Sequence, residues 1–125
     1  MKSTFISYSK DASKKAISIS KYLSSLGVET FTFEKNLTID ASNLQETIKN
    51  KIKNSNNVIL ILSAKSKNST WVSHELGLAS AYNKQLYIFK TSHNLALPDY
   101  IGKNFKVYNK LSSLDIHYAE GVEDD

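Results

Sequence analysis

The chain has 125 residues, enough for one hydrophobic core and little for a second domain. Its formal net charge is +4, carried by lysine alone because the sequence contains no arginine. With no cysteine it can form no disulfide, no thiolate nucleophile and no thiolate metal site.

His74, His93 and His117 show no ligand spacing, so no structural metal is expected. Lys49, Lys51 and Lys53 in "ETIKNKIKN" have no aromatic residues between them, and lysine lacks the bidentate grip of arginine. They read as the solvated face of a helix, not as a nucleic-acid site. No run approaches the roughly 18 apolar residues of a membrane span, and "MKSTFISYS" has neither the apolar stretch nor the cleavage site of a signal peptide. A soluble cytoplasmic protein with no nucleic-acid or membrane partner is the expectation.

Taken in chain order, "TFISY" (4–8) reads as a strand. Ala12, Ala16, Ile19, Leu23 and Leu26 then form one helical stripe, which Gly27 ends. Asp11 stands where an N-cap of this helix would. "VETFTF" (28–33) is a second strand. Leu44, Ile48 and Ile52 stripe a second helix, with Ser42 and Gln45 as a capping box. "NVILILS" (57–63) is an apolar, branched run suited to burial on both faces. A helix over 70–83, the strand "QLYIFK", a turn or short helix at Pro98 and a last strand "FKVYN" follow.

Strands alternating with helices imply a parallel sheet covered on both faces. The expected fold is α/β, a flavodoxin-like three-layer sandwich with a five-stranded parallel sheet in the order 2-1-3-4-5. "VILIL" is central, and the polar-interrupted strands lie at the edges. Ligands in such sheets bind beyond the strands' carboxyl ends, where the winding reverses. Tyr8, Ser9 and Asp11 after the first strand, and Ser63 with the start of helix 70–83 after the third, are expected to line that crevice.

Trp71 and Glu75 are four residues apart on one side of helix 70–83. A carboxylate beside an indole in a crevice is partly desolvated and suits a cationic group or ribose hydroxyls. An exposed acid favoured by the helix dipole is the plainer reading. His74 points roughly 100° away from Glu75 and is expected on the surface. Tyr8 and Trp71 could equally be packing residues.

"FISYSKDASKKAISISKYLSSLGVETF", "LQETIKNKIKNSNNVILILS" and "STWVSHELGLASAYNKQLYIF", in this order, resemble a Toll/interleukin-1 receptor (TIR) domain of the bacterial type. The resemblance covers about residues 4–108, and its most specific element is the W-x-x-x-E pattern from Trp71 to Glu75. It implies a TIR-like domain over 1–110 followed by an extension, 111–125, with an acidic tail. In that family the motif glutamate is catalytic in enzymes that cleave the nicotinamide–ribose bond of NAD, and relatives in bacterial anti-phage defence make cyclic ADP-ribose-like signals.

The resemblance therefore implies that Glu75 is the catalytic acid and that NAD is the substrate, with no further cofactor. Tyr8, Ser9, Asp11, Phe33 and Trp71 would bind NAD. Phe33 leads into a loop, 34–42, which in the family covers the site and mediates self-association. The product would act through a downstream effector protein. "IDAS" stands in that loop where the family often has Pro-Gly. Because arginines that some relatives place on phosphate are absent, Lys10, Lys35 or Lys67 would take that task with backbone N–H groups. "ELGLASAYNK" is also similar to nucleoside deoxyribosyltransferases, where a glutamate is the nucleophile. A non-catalytic adaptor that binds its like is a third reading.

Overall fold

The run Asn57–Leu62 is buried at all six positions, as a strand covered on both faces must be. In the computed structural model, which describes residues 3–35 and 42–109, it is β3, the central strand of a five-stranded sheet. The strands are β1 (Ser3–Ser9), β2 (Glu29–Lys35), β3, β4 (Gln85–Lys90) and β5 (Val107–Tyr108), in the order β2-β1-β3-β4-β5. All four pairings are parallel. The order and the central place of "VILIL" agree with the sequence reading.

Alternation along the strands sorts the core into two halves. Ile6, Ile59, Ile61, Tyr87, Phe89 and Tyr108 meet Ala12 and, on the first helix α1 (Ser13–Ser25), Ala16, Ile19 and Leu23. Phe5, Val58, Leu60, Leu62 and Ile88 on the other face meet α2 (Ser42–Lys53) through Ile48 and Ile52. Val72, Leu76 and Ala79 of α3 (Thr70–Ala81), and Ile101 of α4 (Asp99–Asn104), complete that half. The result is three layers, with α1 on one face and α2, α3 and α4 on the other.

Two helix ends differ from the sequence reading, each for a local reason. Leu26, expected on the buried stripe, is 43% exposed. Helix α1 stops at Ser25 because Gly27 turns left-handed at φ 82°. The Gly27 N–H then reaches Ser24 C=O at 3.1 Å, and Val28 N–H reaches Leu23 C=O at 3.0 Å. This is the Schellman arrangement, which carries the chain away before Leu26 can pack. Asn83 repeats it at the end of α3, with φ 54° and Lys84 N–H bonded to Ala79 C=O at 2.8 Å. That helix therefore ends at Ala81 and not at 83.

Pro98 caps the short α4, as its missing N–H allows. The strand read as "FKVYN" forms sheet pairs only at Val107 and Tyr108. The capping box of Ser42 and Gln45, Leu44 of the second stripe, and the extension at 111–125 lie outside the described residues or side chains. Lys49, Lys51 and Lys53 are exposed, as a solvated helix face should be. No described helix is long and apolar enough to cross a membrane.

Candidate active site

The winding reverses between β1 and β3, and a cluster of small polar side chains joins their carboxyl ends. Ser9, at the last position of β1, donates its hydroxyl to Asp11 Oδ1. Ser63 Oγ, just past β3, donates to the same oxygen at 2.7 Å, and Lys65 N–H bonds Oδ2 at 3.1 Å. Ser66 Oγ accepts the Ser63 N–H at 3.0 Å and lies 3.0 Å from Ser63 Oγ. A hydroxyl has a single hydrogen. With both serines donating to Asp11, the 2.9 Å approach of Ser9 Oγ to Ser63 Oγ is proximity imposed by the shared acceptor.

Asp11 is thus not the N-cap of α1. It sits in a single 3-10 turn, Lys10–Ala12, and the cap position falls to Ala12, which offers no side-chain hydrogen bond. Its carboxylate instead ties the two strand ends together. Desolvation raises the Asp11 pKa, but the hydrogen bonds from Ser9, Ser63 and Lys65 outweigh it, and the net position is below the ordinary 3.8. A depressed carboxylate stabilises the fold above its unfolded-state pKa and stops doing so as pH falls through the folded one. Asp11→Ala is expected to cost about 1–2 kcal/mol at neutral pH, charge-assisted bonds discounted for exposure. Urea unfolding at pH 7 and near pH ~2 checks it: the gap between wild type and variant should close in acid. An equal gap at both would refute the ionic role.

On α3, Ser69 caps the helix by accepting the Trp71 N–H at 3.1 Å, which satisfies one orphan donor of the first turn. Glu75 is the sixth of the twelve residues of α3, about 7–8 Å along the helix from its start. It is 0% exposed. This corrects the reading of an exposed acid and exceeds the partial desolvation read from the motif. Val72, Leu76 and Ala79 are buried with it. Trp71 is half-buried against the core half that holds α2 and α3. Phe33 packs on that same half, its ring 6.3 Å from Phe5.

The expected site residues therefore separate into groups. Phe33, Trp71 and Glu75 share the α2/α3 side of the sheet, and Ser9 and Asp11 close the strand ends beside it. Tyr8 turns the other way and packs against the α1 half. Burial first, and the Glu34 carboxylate second, hold its phenol above the ordinary 10.0. Lys10 is exposed and Lys67 half-buried. The Lys35 side chain and residues 36–41 lie outside the described part.

Sequence reasoning passed over Ser7 and set His74 aside as a surface residue. Ser7 is 0% exposed, its hydroxyl has no hydrogen-bond partner among the described residues, and its register neighbours are Phe33 and Leu60. Alternation from Phe5 was the available signal, since it puts Ser7 on the Glu75 side. His74, expected on the surface, is half-buried, with its ring edge-on to Trp71 at 5.9 Å and 78°. The i, i+3 spacing of the two aromatic rings would have indicated the contact.

A doubly covered parallel sheet with a buried acid on the helix after its central strand defines a flavodoxin-like α/β domain, a fold whose ligands bind at the switch point. A family model described as the TIR domain matches residues 4–121. The chain belongs to the TIR domain family. No curated protein sequence matches it.

Among solved structures, the 2-desoxiribosyltransferase of Leishmania mexicana has a TM-score of 0.68 at 16% identity, covering 96% of this chain and 98% of that one. The TIR domain of the Toll-related receptor TRR-2 of Hydra magnipapillata has a TM-score of 0.66 at 17% identity, covering 97% and 95%. The Clostridium botulinum CMP N-glycosidase BcmB has a TM-score of 0.57 at 19% identity, covering 90% and 98%. At such identities the likeness is one of fold.

Proposed function

We propose that this TIR domain cleaves the nicotinamide–ribose bond of NAD, giving ADP-ribose or a cyclic ADP-ribose-like signal, and serves bacterial immunity through a downstream effector. The observation that carries this reading is the wholly buried Glu75 of the W-x-x-x-E motif, on the helix that follows β3. Two fold neighbours with glycosidic-bond names, a desoxiribosyltransferase and a CMP N-glycosidase, support a reaction at an N-glycosidic carbon.

The chemistry suits a site with one principal acid. An ordinary glycosidase uses a second carboxyl group to protonate a poor leaving group. Nicotinamide in NAD is already cationic and departs neutral, so no proton donor is needed. Glu75 would hold the ribose hydroxyls and stabilise the oxocarbenium ion as it forms. In a site removed from water that attraction is stronger than in solvent. Water at the freed carbon gives ADP-ribose, and a nucleophile of the same molecule gives the cyclic product. Ser9, Asp11 and Ser63 would fix the strand ends around the sugar. Phe33 and Trp71 would wall the pocket, and self-association through residues 34–42 would complete it.

The desoxiribosyltransferase likeness keeps a second reading in play, in which Glu75 attacks a deoxynucleoside. A neutral base leaves poorly without a proton, and Asp11, at the ends of β1 and β3, is held ionised by its three hydrogen bonds. The protein is therefore expected to release nicotinamide from NAD and to exchange no base between deoxynucleosides. Incubation with each substrate, at protein concentrations about a hundredfold apart to reveal assembly, followed by mass analysis, tests this. Exchanged nucleoside without nicotinamide would reverse the assignment. Inertness toward both would leave an adaptor.

A further inference from the structure

β2 is an edge strand, paired with β1 on one side and, among the described residues, with no strand on the other. Its register with β1 runs unbroken from Glu29 to Lys35, without the bulge or proline that closes many edges to a further strand. Such an edge presents unpaired N–H and C=O groups to any strand that aligns with it. The large apolar side chains exposed among the described residues are Ile17, Leu26, Phe31 and Tyr100. Phe31 stands on β2, and Leu26 in the turn that leads into it. Helix α2 does not cover the edge: a cavity of about 220 Å³, lined by Phe31, Asn50, Lys51, Asn54 and Ser55, opens between strand and helix.

We propose that β2 docks a second copy of this chain, the two β2 strands pairing antiparallel about a twofold axis at Thr32 and joining the two sheets into one. The strand's own sequence selects this partner, because "ETFTFEK" begins with an acid and ends with a base. With Thr32 opposite its counterpart, Glu29 of each copy faces Lys35 of the other, and Phe31 faces Phe33. The twofold keeps like faces together, so the register changes only in steps of two residues. One such step sets Glu29 against Phe33, or Lys35 against Phe31, and leaves two residues of each strand unpaired. This contact goes beyond the self-association through residues 34–42 proposed above and does not depend on the NAD reading. Because the strands run antiparallel, the carboxyl ends of the two sheets point opposite ways, and neither copy completes the other's site.

The chain has no cysteine, so single introduced thiols report the register directly. Opposite Cα atoms of an antiparallel pair lie about 4.5–5.5 Å apart, within reach of a disulfide. On mild oxidation of the full chain, Thr32→Cys, at an exposed position, is expected to cross-link with itself. Glu34→Cys and Thr30→Cys would each stand roughly 14 Å from their own counterparts. Neither should cross-link alone, and the mixture of the two should.

Charge reversal gives a second readout, by sedimentation equilibrium. Glu29→Lys and Lys35→Glu each set like charges opposite one another twice per dimer, and each is expected to weaken the wild-type dimer about tenfold. The double variant restores both pairs with the signs exchanged and should return to within a few-fold. A wild-type chain that stays monomeric as its concentration is raised overturns the proposal and leaves the edge to a strand of another protein. A dimer in which Thr32→Cys cross-links no better than Glu34→Cys alone also overturns it, in favour of association through the covering segment. Unchanged affinity in both single reversals refutes the register.

Discussion

Glu75→Gln leaves the protein folded and lowers NAD cleavage at least ~100-fold. Glutamine has the shape of glutamate, so the packing of Val72, Leu76 and Ala79 around position 75 is kept while the charge is lost. Removing one preorganised electrostatic contact from a transition state costs roughly 3–4 kcal/mol, or two to three powers of ten in rate. The effect should fall on kcat, because the oxocarbenium charge exists only at the transition state. Nicotinamide release under saturating NAD measures the rate, and a thermal melt of the same sample establishes folding. Activity within a few-fold of wild type would remove Glu75 from the mechanism. A variant that fails to fold would show instead that the buried carboxylate holds α3 in place.

The parts of this molecule that depend on periodicity were legible in the sequence. The unbroken run of β3, the stripe Ala12-Ala16-Ile19-Leu23 and the edge character of β2 each follow from one physical requirement, burial on two faces, one or little. Together they led to the strand order without any contact being known. What failed depended on single side chains choosing among partners. Asp11 had the type and position of an N-cap, but three donors from the ends of β1 and β3 compete for it, and two of them are more than fifty residues away in sequence.

His74 was assigned to the surface from its angle on the wheel, which ignores how far an indole at i−3 extends over the helix. Leu26 obeyed the stripe, yet a left-handed glycine one residue later removed it from the helix. Tyr8 shows the limit of carrying a position over from a family: strand alternation turns its side chain to the α1 face, while Ser7 and Ser9 take the side of Glu75. Of the candidate site, the motif and the switch point of the sheet were legible. The facing of individual residues within it was not.

Phe5→Ala should be among the most destabilising single changes in the core, and its effect should reach the site. Phe5 is 0% exposed and stands on β1 between Phe31 of β2 and Val58 of β3. Its ring meets Phe33 at 6.3 Å and 44°. Truncating such a ring removes transfer free energy and leaves a cavity, about 3–5 kcal/mol in all. Against a total stability of about 5–15 kcal/mol the loss lowers Tm by roughly 10–20 °C for a chain of this size.

Phe89→Ala is the matched control. Phe89 is also 0% exposed, but it lies in the other half of the core, its ring 5.8 Å from Tyr108 and away from Phe33. The two variants should lose similar stability. At a temperature where both remain folded, Phe5→Ala alone should raise KM for NAD severalfold, because Phe33, proposed above as a wall of the pocket, loses its support, while Phe89→Ala keeps the wild-type value. Equal KM values for the two, once corrected for the folded fraction, would separate the Phe5–Phe33 packing from substrate binding.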